Sequence, residues 1–130
     1  MIEYVLTLNS DQAKETLKAV ELLMRLKINQ PEEISRTVLD GMYERIGCDE
    51  FCKRRDEANE YLHKAFEAIF PHWSEVQKDE EWYRLYNLYQ VIRYQIHLAE
   101  HPNSTGVDSY PPTQFTDEPI PECTWRKKNE

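Results

Sequence analysis

Tyr83, Tyr86, Gln90, Arg93, Tyr94 and His97 fall on one edge of the helical pattern from Asp79 to His101. At 100° per residue they lie beside an apolar stripe of Leu85, Tyr89, Ile92, Ile96 and Ala99. Rings, a guanidinium, an imidazole and an amide on one edge suit a planar, anionic ligand. The rings stack on a base and the guanidinium pairs with a phosphate. The plainer alternative is the rim of a core, where Tyr and His keep an apolar body inside and a polar tip in water.

Other chemistries find little footing. The 3 glycines are scattered, so neither a phosphate-cradling loop nor a dinucleotide fingerprint is present. No serine sits in a nucleophile elbow, and HExxH is absent. His97 and His101, four apart, could share a helix face as metal ligands, but nothing supplies a third at a helpful spacing. Cys48 and Cys52 also lie four apart and Cys123 is remote, which is no zinc-ligand spacing. Glu32-Glu33 and Glu80-Glu81 read as first-turn charges complementing helix dipoles. Among 24 acidic residues no catalytic pair stands out. The expectation is therefore binding without catalysis, cofactor or metal.

Polar anchors outside the long helix are Arg25, Gln30 and Arg36. Arg25 and Gln30 sit where one helix gives way to the next, and a helix start at Pro31 would turn backbone N–H groups toward an anion. Packed near Tyr86, Arg93 and His97, that junction would complete an aromatic-lined pocket with two guanidiniums. Trp73, in the connection before the long helix, is core cover or a pocket wall. The candidate ligand-binding set is Arg25, Gln30, Trp73, Tyr86, Tyr89, Gln90, Arg93 and His97.

The elements that must position these residues are mainly helical. Ile2 to Leu8 alternates as a short strand, which must pair with another segment or with a copy of itself. Asn9 with Gln12, or Ser10 alone, would cap a helix striped by Ala13, Leu17, Val20 and Met24. Leu22, Leu23 and Leu26 widen its apolar surface to a second side. Pro31 suits the first position of a short helix carrying Ile34 and Val38. Arg45–Asp49 reads as a turn, with Asp49 as a cap. A helix follows from about Glu50 to Phe70, its inner face Phe51, Ala58, Leu62, Ala65, Phe66 and Ile69, and Pro71 ends it. Asp79 would cap the long helix.

Five of the 7 prolines come after His101, namely Pro102, Pro111, Pro112, Pro119 and Pro121, and they forbid a long helix there. Val107, Tyr110, Phe115, Ile120 and Trp125 make this stretch too apolar for plain disorder. It is expected to lie extended over the helices from about Val107 to Ile120, with Arg126 to Lys128 frayed. The fold expected is a mainly α bundle of three to four helices, with a short N-terminal β-strand and an extended Pro-rich C-terminal segment. Residues 1–101 form the helical domain, and 102–130 pack on it.

The chain carries 24 acidic and 16 basic residues, a net charge of -8, which disfavours binding to nucleic acid or anionic membrane. The opening stretch lacks a signal-peptide pattern and no run is apolar enough to span a bilayer. An odd 3 cysteines suggest reduced thiols and a cytoplasmic home.

Three stretches, LTLNSDQAKETLKAVELLMRLKINQPEEI, LYNLYQVIRYQIHLAEHP and YPPTQFTDEPIPE, together resemble a group of small proteins encoded by tailed bacteriophages. Two positions depart from that pattern: no glycine stands near Ile28, and Tyr94 replaces a histidine. The resemblance implies an oligomeric accessory protein of the infected bacterial cytoplasm that counters host defence. Some proteins of that size act as sponges, sequestering nucleotide immune signals such as cyclic dinucleotides or ADP-ribose derivatives. On that expectation Tyr86 and Tyr89 or Trp73 stack on the base, Arg93 and Arg25 hold phosphates, and His97, Gln90 and Gln30 read polar edges. From a different class, the acidic surface and apolar, proline-rich end suit an inhibitor or adaptor that occupies a basic host defence protein. A phage structural or assembly component is the third reading.

Overall fold

A computed structural model of the chain describes residues 1–128. The expectations for Asn129 and Glu130 lie outside the described residues. Among the described residues there are four α-helices: α1 (Ser10–Lys27), α2 (Glu32–Asp40), α3 (Tyr43–Ile69) and α4 (Glu80–Glu100). Single 3-10 turns sit at Trp73–Glu75 and Val107–Ser109. The chain divides into two compact units, Met1–Val20 with the chain from Tyr83 onward, and Glu21–Trp82. No helix among the described residues is long and apolar enough to cross a membrane.

Local chemistry sets the helix boundaries. At the start of α1, Asn9 and Gln12 form a reciprocal capping box. The Gln12 N–H donates to Asn9 Oδ1 at 2.8 Å, and the Asn9 N–H donates to Gln12 Oε1 at 3.0 Å. Its other end closes in a Schellman motif. Asn29 takes a left-handed conformation (φ 61°), while the N–H groups of Gln30 and Asn29 return to the carbonyls of Arg25 and Leu26 at 2.9 and 3.2 Å. Pro31 is fully buried at the entry to α2, where its missing N–H costs nothing. Asp79 caps α4 by accepting the Trp82 N–H at 2.8 Å.

In the unit 21–82, α2 packs against α3, and Ser35 Oγ donates to Asn59 Oδ1 across that contact. Trp82 is 6% exposed and its indole N–H donates to the Met24 carbonyl at 3.1 Å; Met24 and Leu39 are buried as well. The other unit buries Val20, Val91 and Ile92. There Glu100, in the last turn of α4, accepts from Ser10 Oγ at 2.7 Å and from Lys14 Nζ at 3.0 Å, tying that turn to the start of α1.

Three expectations are corrected. No strand forms among the described residues, and Ile2 to Leu8 lies without regular structure and mostly exposed. An alternating segment needs a neighbouring strand to satisfy its backbone, and the described residues offer none. The segment after His101 is not uniformly extended, because Gly106 (φ 114°) admits the 3-10 turn Val107–Ser109. Nor does the turn at Arg45–Asp49 separate two capped helices. Helical turns run from Tyr43 with one break at Gly47 (φ 78°, ψ 169°), a conformation natural only to glycine.

Candidate functional site

The polar edge of α4 is buried. Asn87, Gln90, Arg93 and His97, which recur at spacings of three, three and four, are 2, 4, 8 and 6% exposed. Segment 102–118 supplies their neighbours. Gln90 Nε2 donates to the Thr113 carbonyl at 3.0 Å and its Oε1 accepts the Thr113 N–H at 2.9 Å. Asn87 Nδ2 donates to Thr116 Oγ1 at 3.2 Å. Arg84 and Glu118 form an exposed pair at 2.8 Å.

One turn further along α4 the neighbours change character. Arg93, His97, His101 and Ile96 border a cavity of about 100 Å³, with Leu17 of α1 and Ser104 and Asp108 completing the wall. Arg93 Nε is buried without a hydrogen-bond partner. The Asp108 carboxylate, two-thirds exposed, comes no nearer to it than 3.8 Å. The guanidinium rests over the Tyr89 ring, 5.1 Å from its centroid. A buried cation with a vacant donor is costly to maintain, and the Arg93 side chain borders the cavity beside Asp108.

Ser104 links the end of α4 to the segment after it: its Oγ lies 2.9 Å from the His101 carbonyl oxygen and 3.1 Å from His97 Nδ1.

The aromatic candidates form a ladder. Tyr86 and Tyr89 stack at 6.4 Å, Phe115 meets Tyr86 edge-on at 5.3 Å, and Phe115 stacks on Tyr83 at 5.7 Å. The rings thus hold Phe115 of the segment after α4. Tyr94 stacks with His97 at 6.2 Å. Tyr94 also borders a wider groove of about 360 Å³ with Val91, Pro112, Ile120, Pro121 and Cys123. Burial pushes the Cys123 thiol above the ordinary range, so it behaves there as a small apolar group.

The remaining candidates belong to the unit 21–82. Arg25 donates to Gln30 Oε1 at 2.9 Å and pairs with Glu21 at 3.5 Å, so both side chains reinforce the end of α1. Trp73 is 88% exposed. Of the eight candidates, Arg93 and His97 line the smaller cavity. Sequence reasoning missed Ser104 and Asp108, which carry no pattern of their own. The hint available was the apolar content of the segment after His101, including Val107, Tyr110 and Phe115, from which it is expected to lie over the helices. Among the described residues no group of three His, Cys, Asp or Glu side chains is placed to hold a metal ion.

Comparison with known proteins adds no relative: no protein-family model, no curated protein and no solved structure matches the chain.

Proposed function

We propose that this chain is a binding protein rather than an enzyme, and that it holds the phosphoryl group of a small nucleotide-type ligand between Arg93, His97 and Ser104. The observation that carries this reading is the buried Arg93 guanidinium, which borders a cavity while its Nε lacks an acceptor. Charge-assisted hydrogen bonds of this kind contribute about 1.5–3 kcal/mol each. The ligand's anionic oxygen displaces Asp108, whose own hold at 3.8 Å is loose.

A cavity of about 100 Å³ has room for a phosphoryl group. Sequestration of a nucleotide immune signal by an oligomeric phage protein is the biological role this binding would serve, and its support is the resemblance of the three stretches.

A thermal-shift panel of AMP, ADP-ribose and cyclic dinucleotides, with adenosine as the uncharged control, tests the proposal. Ligand at a hundredfold excess over its dissociation constant contributes about 2.7 kcal/mol, a rise of several degrees in melting temperature. A shift with phosphorylated ligands and none with adenosine is expected. No shift with any of them at millimolar concentration removes the proposal. A stoichiometric protein partner whose binding weakens with salt would then favour the acidic adaptor.

A further inference from the structure

Residues 2–8, Ile-Glu-Tyr-Val-Leu-Thr-Leu, have a pattern that reads alike in both directions about Val5. Ile2 mirrors Leu8, Glu3 mirrors Thr7, and Tyr4 mirrors Leu6. In the chain Ile2, Tyr4, Val5 and Leu6 are 79, 93, 95 and 75% exposed. Among the described residues no backbone hydrogen bond reaches residues 2–8. A run with this many exposed apolar side chains and unpaired backbone groups is a template for strand pairing.

The mirror pattern selects the partner. An isologous twofold contact requires a self-complementary surface, in which residue i meets j and j meets i. Adding a strand to an unrelated sheet edge requires alternation alone. We propose that residues 2–8 pair antiparallel with the same residues of a second copy of this chain, Val5 opposite Val5. Ile2, Tyr4, Leu6 and Leu8 of each copy then line one face of the ribbon, and the apolar area of that face drives association. On the other face Glu3 lies opposite Thr7 of the second copy. Parallel in-register pairing would instead set Glu3 against Glu3, and like charges directly opposite are destabilising. The pairing is independent of anion binding at Arg93.

Light-scattering mass of the whole chain across a concentration series, with three variants, tests this. The unaltered chain is expected to be an even-numbered oligomer that dissociates on dilution. Val5→Pro removes an N–H and should favour monomer, while circular dichroism shows the helices retained. Thr7→Lys places a lysine opposite each Glu3, at two sites per ribbon. It should lower the dissociation constant roughly two- to thirty-fold, and Thr7→Glu should raise it comparably. A monomer at a hundred micromolar overturns the proposal. So does an oligomer indifferent to Val5→Pro, or one that both Thr7 variants weaken, which is the mark of parallel pairing.

Discussion

Gln90 and Thr113 exchange two hydrogen bonds, at 2.9 and 3.0 Å, so that one side-chain amide imitates a paired strand residue. This clasp holds the segment after α4 against it beside Phe115, which packs on Tyr83 and Tyr86. Gln90→Ala should destabilise the chain by about 1–3 kcal/mol, the value of two modest hydrogen bonds in a buried setting. It should also speed protease cleavage between Pro102 and Ile120. Urea unfolding and a digestion time course would check both, and unchanged cleavage would show that the clasp is dispensable.

Trp82 anchors the unit 21–82 through packing and through its bond to the Met24 carbonyl. Trp82→Phe keeps most of the apolar volume and leaves that carbonyl without its donor, for a loss of about 1–3 kcal/mol. Trp82→Ala adds a cavity and should cost about 3–5 kcal/mol. Equal losses by urea unfolding would mean that the indole N–H contributes little.

Acid should loosen the contact between α1 and α4. The Ser10 hydroxyl and then the Lys14 ammonium hold the Glu100 carboxyl below the usual carboxylate range. A group whose pKa is depressed by folding stabilises above its unfolded pKa, and loses that contribution as pH falls through the folded one. Stability should therefore decline on acidification below the ordinary glutamate range, and Glu100→Gln should flatten part of that slope. The test is urea unfolding at a series of pH values between neutrality and 3. Identical slopes for the two proteins would contradict it.

Arg93 should be worth more to ligand than to fold. Its Nε has no hydrogen-bond partner, Asp108 stands 3.8 Å away and exposed, and the Tyr89 ring offsets only part of the desolvation, about 2 kcal/mol. Arg93→Met keeps the length and apolar stem of the side chain while removing a poorly satisfied buried charge. Stability in the absence of ligand should stay level or rise by up to about 2 kcal/mol. A loss above 1 kcal/mol would mark Arg93 as a structural residue.

Helices α1, α2 and α4 were legible because their signals are local. The Asn9–Gln12 box, Pro31 and the Asp79 cap act within one turn of chain. Gly47 was legible as a break but not as a single-residue kink, since helical residues resume at once. The inner face of α4 was harder to foresee. Of its apolar stripe only Ile92 is buried, alongside Trp82, Val91 and four polar residues. Asn87, Gln90 and His97 are met by Thr116, Thr113 and Ser104, whereas Arg93 keeps a buried Nε without a hydrogen-bond partner, with Asp108 3.8 Å away. Periodicity measures hydrophobicity along one helix and is blind to partners that arrive from remote sequence. Arg25 and Gln30 stand five apart at the helix-terminating motif that closes α1 and bond to each other there.

The most direct measurement is isothermal titration of the chain with AMP and with adenosine, repeated on Arg93→Met. Saturable binding of AMP at one site per chain is expected, with adenosine at least tenfold weaker and the variant at least tenfold weaker for AMP, since one lost charge-assisted bond amounts to about 1.5–3 kcal/mol. Equal affinity of the variant for AMP, or equal affinity of the chain for AMP and adenosine, would contradict an anion site at Arg93.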